Sequence, residues 1–160
     1  MATLYVLSGA PGSGKSTAAQ KLLQDFSNSN ESALILSSDD IRMEVTGHYA
    51  DFTKQGEKLV WDTLLSRAKN ASQHFDHVII DSTALTNKKR MFYWNNLHKS
   101  YDRFYLIIFD VPADQCVLND QKRDRHVPEK DIRFMSSILQ EPNEEVHSKF
   151  RIIHKRFHQE

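Results

Sequence analysis

Hydrophobic residues form four short runs along the chain, at residues 4–7, 33–36, 78–80 and 104–109. Each run is preceded or followed by a segment whose apolar residues recur at helical spacing. Short apolar runs between helices are typical of buried parallel strands, which are covered by helices on both faces. The pattern therefore predicts an α/β fold with a parallel four-stranded sheet.

Helices are predicted in the segments between these strands. Residues 16–26 have helical character and end in the polar sequence Ser-Asn-Ser-Asn. Parallel neighbours need crossover connections of this kind. Two more crossover helices are indicated by apolar residues at roughly helical spacing, first Phe52, Leu59, Leu64 and Ala68, then Met91, Trp94, Leu97 and Tyr101.

The last third of the chain predicts a lid and a terminal helix. A short helix at 113–119 runs into a highly charged stretch, and Pro128 suits the first turn of the next helix. We interpret residues from about 119 to 128 as a lid. Residues from about 143 to 158 predict an amphipathic helix that docks on the core, with a nucleic-acid or partner surface as the alternative.

Composition limits the class of protein. With 160 residues and 39% hydrophobic content, we expect one domain spanning residues 1–160. Basic and acidic residues balance at 21 each, which argues against a long non-specific DNA footprint. The single cysteine, Cys116, and the absence of a signal or membrane-spanning pattern favour a cytoplasmic protein, and the histidines show no metal-ligand spacing.

The most specific signal is a phosphate-binding loop directly after the first apolar run. Its glycines let successive amides point at one anion, and the following helix adds its positive end. The lysine would reach the outer phosphates of ATP, while the serine hydroxyl would offer itself to Mg²⁺. The predicted ATP-binding residues are Gly9, Ala10, Pro11, Gly12, Ser13, Gly14, Lys15, Ser16 and Thr17.

A candidate acceptor site follows the second apolar run. If a helix begins near Asp39, then Asp39 and Arg42 lie three residues apart on one face. A carboxylate there can take the proton from an attacking hydroxyl, and a guanidinium can hold an anion. The alternative is that Ser38 or Asp39 caps the helix and Arg42 forms a surface ion pair.

These motifs together resemble the polynucleotide 5′-kinases of bacteriophage type and the related bacterial RNA-repair kinases. The resemblance runs from residue 4 to about residue 139, through the phosphate-binding loop, Ser-Asp-Asp-Ile-Arg ending at Arg42, Asp-Ser-Thr from Asp81, and Arg-Asp-Arg-His-Val-Pro from Arg123. It implies the strand order 2-3-1-4, ATP and Mg²⁺ as cofactors, and transfer to a 5′-hydroxyl. The family often has Arg-Asn early in its lid, where this chain has Asn119 followed by aspartate.

The resemblance also implies roles for individual residues. Asp39 is similar to the general base and Arg42 to the residue that holds the neighbouring phosphate of the acceptor. Arg123 and Arg125 resemble lid arginines that clamp ATP. The residues expected to be catalytic are Asp39, Lys15, Arg42 and Arg123, and those expected to bind the acceptor are Asp39, Arg42, Asp81, Ser82 and Thr83.

Several residues have two interpretations. Ser16 is expected to offer its hydroxyl to the metal, and Asp81 to hold the metal through water or to touch the acceptor. The alternative is that Asp81 and Ser82 cap the following helix. Lys122, Arg123 and Arg125 would otherwise be a solvated helix end. The basic run at 88–90 would meet an incoming strand or be a solvated face, and His48 and Tyr49 are candidates for stacking on a base.

The predicted reaction is transfer of the ATP γ-phosphate to the 5′-hydroxyl of RNA or DNA. The alternatives are a kinase for a small hydroxyl compound, such as a nucleoside, sugar nucleotide or antibiotic, and a nucleotide-binding regulatory module without turnover. The expected partner is a nucleic-acid end with a 5′-hydroxyl, as substrate, and no membrane association is expected. A separate phosphatase or ligase partner and a homo-oligomer stay open.

Overall fold

The computed structural model describes residues 1–157, and within them one parallel sheet forms the centre of the molecule. Its order is β2-β3-β1-β4-β5. The strands are β1 (Ala2–Ser8), β2 (Ala33–Ser37), β3 (His77–Asp81), β4 (Tyr101–Asp110) and β5 (Arg151–Arg156).

Helices connect the strands, as parallel pairing requires. Polar side chains begin several of them: Ser37, Thr53, Thr86 and Asn143 each accept a hydrogen bond from a backbone amide of the helix that follows. The helices are α1 (Lys15–Asn28), α2 (Ser38–Thr46), α3 (Lys54–Ala71), α4 (Asn87–Leu97), α5 (Ala113–Gln121), α6 (Glu129–Ser137) and α7 (Glu144–Lys149).

The sheet is buried on both faces because its side chains alternate between two apolar clusters. Leu4 and Val6 of β1 belong to the larger cluster, which contains residues of α3, α4 and α7, whereas Leu7 belongs to a second cluster with Ala19 of α1. A third cluster joins Cys116 of α5 to Ile132 of α6. Helices α5 and α6, which flank the predicted lid, are thus packed on each other. The carboxyl ends of the strands stay open for ligands.

The predicted order of the first four strands is confirmed, but the sheet has a fifth strand. The terminal amphipathic helix predicted at about 143–158 is wrong: α7 ends at Lys149, Phe150 adopts an extended backbone, and β5 follows. The extended segment pairs with the edge of β4. This pairing satisfies backbone groups of β4 that would have no strand partner if the segment were a helix. Residue 158, at the predicted end of that helix, lies outside the described residues, as do the last two positions of the predicted domain.

Tyr101 begins β4 instead of closing the preceding helix, which ends at Leu97. Between residues 1 and 157, none of the helices has the length and apolar character needed to cross a bilayer.

Candidate active site

The phosphate-binding loop joins β1 to α1 at the centre of the sheet. Gly12 and Gly14 have φ angles of 83° and 97°, which L side chains rarely adopt. A Cβ atom on Gly12 would lie 2.3 Å from the carbonyl oxygen of Cys116, so the loop also depends on close contact with α5. Gly14 caps α1 without a side-chain hydrogen bond, which leaves the first amides of the helix to meet an anion.

Lys15 lies buried behind this loop. Its Nζ donates a hydrogen bond to the Ala10 carbonyl oxygen at 2.9 Å. Burial lowers the pKa of Lys15 from 10.5 to about 8, although the negative charges of Asp81 and Asp39 oppose the shift. The Ser13 Oγ is also buried and has no hydrogen-bond partner among residues 1–157. A buried cation beside an unused hydroxyl fits a phosphate group.

Ser16 and Asp81 meet at the end of β3. The Ser16 hydroxyl donates to Asp81 Oδ2 at 2.7 Å, which brings two oxygen ligands together beside the phosphate-binding loop. No group of three or more His, Cys, Asp or Glu side chains suited to a metal is found in the described part of the chain. A hydroxyl and one carboxylate fit Mg²⁺, which usually takes its other ligands from phosphates and water. Thr86 caps α4, so the alternative role of Asp81 and Ser82 as caps is wrong.

The two residues after Asp81 are engaged in the core of the site. The Ser82 Oγ is buried and lies 2.9 Å from the Tyr93 hydroxyl. The Thr83 carbonyl oxygen accepts a hydrogen bond from the Gly9 amide at 2.8 Å, which ties the start of the phosphate-binding loop to the segment after β3.

Asp39 stands in the first turn of α2, and its carboxylate contacts two arginines. Ser37, not Ser38 or Asp39, caps this helix. Arg42 donates to Asp39 Oδ1 at 3.3 Å, and Arg125 donates to Asp39 Oδ2 at 3.0 Å. Asp39 and Arg42 lie on one helical face, as predicted, and the lid adds a second guanidinium.

Arg42 is not part of a surface ion pair, since its side chain is only 4% exposed. Glu57 of α3 accepts a hydrogen bond from Arg42 and a second one from the Trp61 indole at 2.9 Å. The Phe52 ring covers the guanidinium, with Arg42 Cζ 4.5 Å from the ring centroid. Arg42 is therefore fixed by contacts from α3, although its buried Nε has no partner among the described residues.

The predicted lid, at about 119–128, comprises the end of α5 and the loop that leads to α6. The buried Asp120 holds the loop by accepting from the Val127 amide at 3.0 Å and by pairing with Arg123 at 3.4 Å. Asn119 donates to the Gly12 carbonyl oxygen at 2.9 Å, so the residue that departs from the family pattern links the lid to the phosphate-binding loop. Arg125 lies over the Tyr49 ring, 4.1 Å from its centroid.

One cavity of about 1100 Å³ connects these parts. Three residues of the predicted ATP site, Gly9, Ala10 and Ser13, lie in the same loop but outside the cavity wall. The candidate residues that line the cavity are Pro11, Gly12, Gly14, Lys15, Ser16, Thr17, Asp39, Arg42, Asp81, Ser82, Thr83, Arg123 and Arg125.

The basic run at 88–90 does not form a uniform solvated face. Arg90 is fully buried and donates to the Ser8 hydroxyl at 3.0 Å, and burial lowers its pKa to about 10. Lys89 Nζ lies 3.0 Å from the centroid of a Trp61 ring, and burial lowers its pKa to about 8. Only Lys88 is exposed to solvent.

Glu57 and Phe52, which both contact Arg42, were not predicted as functional residues from the sequence. Neither residue belongs to a motif, and their spacing gives no signal before α2 and α3 are packed together. Asn119 was recognisable, because it stands where the family pattern has another residue.

Comparison with known proteins identifies relatives at two levels. The family described as AAA domain matches residues 4–142. Cytidine diphosphoramidate kinase of Campylobacter jejuni is 30% identical over 119 residues, which cover 72% of this chain and 65% of that protein. The chain thus spans less than two thirds of that relative.

Two solved structures share the fold at 21% identity. A chain of the Pnkp1/Rnl/Hen1 RNA repair complex matches with a TM-score of 0.73, covering 94% of this chain and 46% of that one. The Mycobacterium tuberculosis APS kinase CysC, in complex with AMPPNP and APS, matches with a TM-score of 0.59, covering 76% of this chain and 69% of that one.

Proposed function

We propose that this chain transfers the γ-phosphate of ATP to the 5′-hydroxyl of a polynucleotide. The premise is that the chain belongs to the AAA domain family and is a P-loop kinase. The proposal rests on one observation, namely that residues of the phosphate-binding loop and Asp39 line the same cavity. The side chain of Asp39 is 47% exposed, so a chain end can approach it from solvent.

In this proposal, each side chain has a distinct task. The amides of the loop and Lys15 hold the triphosphate, and Arg123 and Arg125 close on it from the lid. Asp39 takes the proton of the 5′-hydroxyl, whose oxygen forms a bond to the γ-phosphorus while the bond from that phosphorus to the β-phosphate oxygen breaks and ADP leaves. Magnesium, when bound at Ser16 and Asp81, supplies neutralisation of the charge on the phosphates.

Arg42 supports a polynucleotide acceptor because it contacts Asp39, the proposed general base, directly. In this proposal the guanidinium donates to a phosphate of the acceptor, while its Nε–H stays buried and unpaired among residues 1–157. The resemblance in fold to a chain of an RNA repair complex supports the same substrate class, and it makes a ligase or phosphatase partner a natural proposal. A homo-oligomer is also compatible with this proposal.

A small hydroxyl compound is the second candidate, and one observation favours it. Asp39 and Glu57 already contact Arg42, so the guanidinium offers less positive charge to a phosphate than a free arginine would. The relative from Campylobacter jejuni is named for a cytidine diphosphoramidate substrate, which is a small molecule.

Labelled ATP separates the two candidates. Purified protein is incubated with ATP and 5′-hydroxyl oligoribonucleotides, oligodeoxyribonucleotides or nucleosides, and the labelled products are resolved. We expect transfer to at least one oligonucleotide, and transfer to nucleosides alone would reject the proposal.

Two substitutions test the proposed roles. Asp39→Asn should abolish transfer while ATP still binds, and Lys15→Ala should weaken both. Asp62→Asn is a matched control, because Asp62 is an exposed carboxylate of α3 that pairs with Lys58. Normal transfer by Asp39→Asn would contradict the role assigned to that carboxylate.

A further inference from the structure

Exposed aromatic side chains are concentrated at the cavity. Tyr49, Phe52 and Phe134 are 37%, 65% and 62% exposed, and all three line it. In the described part of the chain, the other large aromatic side chain that is exposed is Phe157, which lies outside the cavity wall. Exposed apolar groups gathered at one place, rather than scattered singly, indicate a binding surface.

Phe52 is held in place despite its exposure. It lies between Asp51 and Thr53, and the Thr53 amide and hydroxyl both donate to the Asp51 carboxylate, at 3.1 Å and 2.7 Å. The Thr53 hydroxyl in turn accepts from the Gly56 amide and caps α3. The ring rests on the guanidinium of Arg42, which is itself fixed from α3. Phe52 is thus a rigid aromatic surface backed by a cation.

Its position relative to Asp39 indicates what the surface would bind. Arg42 contacts Asp39 with one nitrogen, and its guanidinium lies against the Phe52 ring. Phe52 and Asp39 therefore line the same cavity and are linked by the Arg42 guanidinium, which contacts both. In a nucleotide, the base is linked through one sugar to the 5′-oxygen, so a base and a reacting hydroxyl can occupy both places together.

We propose that Phe52 is the stacking platform for the nucleobase of the acceptor's terminal nucleotide, a role that rests on the proposed function. Tyr49 and Phe134 of α6 line the same cavity and add further aromatic surface to it. Stacking accepts every base because each has a π-face, and aromatic platforms serve single-stranded nucleic acids in this way. The site selects a planar terminal base without selecting its sequence.

The test compares two 5′-hydroxyl oligonucleotides that differ only in the terminal nucleotide, one carrying a base and one abasic. For the unmodified protein, we expect the KM of the abasic acceptor to be roughly 5- to 100-fold higher, the range that corresponds to loss of one stacked base. Phe52→Leu should raise the KM of the base-containing acceptor and remove the difference between the two acceptors. The KM for ATP should stay unchanged.

Two further variants complete the design. Phe52→Tyr keeps an aromatic face and should restore the preference for the base. Phe157→Leu removes an exposed aromatic side chain outside the cavity and should behave like the unmodified protein. Thermal unfolding of each variant separates a lost contact from a lost fold.

The outcomes distinguish the two proposals. Equal KM values for both acceptors in the unmodified protein, or an undiminished preference in Phe52→Leu, would overturn the stacking platform while leaving the kinase proposal standing. Transfer to neither oligonucleotide, with transfer to a small hydroxyl compound, would overturn the polynucleotide proposal and the platform with it.

Discussion

We expect the charge of Lys15 to make ATP binding depend on pH in a range where an ordinary lysine does not titrate. In the nucleotide-free protein the pKa of Lys15 is about 8, because its ammonium is buried. At pH 7 roughly nine tenths of the molecules then carry the charged lysine, and at pH 9 roughly one tenth do. Phosphate oxygens beside Nζ favour the charged form, so binding above pH 8 must include protonation of Lys15.

The apparent affinity for ATP should therefore fall about tenfold between pH 7 and pH 9. A lysine that kept its ordinary pKa of 10.5 would remain almost fully charged over this range, and the affinity would change by only a few per cent. Titration calorimetry at fixed Mg²⁺ and ionic strength measures the dissociation constant at each pH.

Two variants isolate the cause. Lys15→Arg carries a cation that does not titrate in this range, so its affinity should be nearly independent of pH. Lys89→Met removes the other lysine whose pKa is about 8 and should retain the tenfold fall, because Lys89 lies on Trp61 and not in the phosphate-binding loop. A flat profile for the unmodified protein, or the same fall in Lys15→Arg, would refute the reasoning.

Folding stability should respond to pH in the opposite direction. Between pH 8 and pH 10.5 the unfolded chain binds more protons at Lys15 than the folded chain, since the pKa of Lys15 is lowered on folding. This residue therefore increases the free energy of unfolding as the pH rises through that window. Comparing thermal unfolding of the unmodified protein and Lys15→Arg separates this contribution from the other titrating groups.

Five substitutions test other parts of the site. Gly12→Ala should destabilise the protein by about 2–5 kcal/mol, because of strain at positive φ and a clash with a carbonyl of α5. Gly14→Ala meets open space and should cost only about 1–2 kcal/mol, from the strain alone. Equal losses of stability in denaturant unfolding would contradict this difference. Glu57→Gln removes one of two carboxylates from the buried arginine of α2 and should raise the acceptor KM several-fold with little effect on the KM for ATP. Arg125→Ala should lower kcat by about 10³ if this arginine meets the γ-phosphate, and a larger loss in Arg123→Ala would assign that contact to the other lid arginine.

The parts of the fold that sequence analysis predicted depend on local rules. The phosphate-binding loop requires glycine at fixed offsets between a strand and a helix, so its residues identify it wherever it occurs. The first four strands are apolar runs too short for buried helices, and the structure confirms them. The parallel arrangement followed from the helices between them.

The end of the chain could not be predicted in this way. Val146, Phe150, Ile153 and Phe157 satisfy helical spacing, yet the chain becomes extended at Phe150. The adjacent β-branched residues Ile152 and Ile153 favour a strand, but that preference is weak without a partner. The deciding factor is the free edge of β4, which exists only after the sheet has formed.

The environment of Arg42 illustrates the same limit at the site. Its spacing from Asp39 predicted that the two side chains share one helical face, and they do. Its burial, however, depends on Glu57, which is fifteen residues further along and on another helix. A buried arginine with two carboxylates has a fixed direction and a reduced net charge, neither of which a sequence motif conveys.

The charges around Asp39 connect the lid to the proposed acceptor site. Two carboxylates, Asp39 and Glu57, face two guanidiniums, Arg42 and Arg125, so the group is neutral in the nucleotide-free protein. A triphosphate in the phosphate-binding loop offers Arg125 more negative charge than Asp39 does. If Arg125 moves to the phosphates, it releases the Asp39 oxygen to which it donates, and that oxygen is then free to meet the hydroxyl of an acceptor. The same movement would leave Arg42 as the cation nearest to Asp39, which ties use of the acceptor site to occupation of the ATP site.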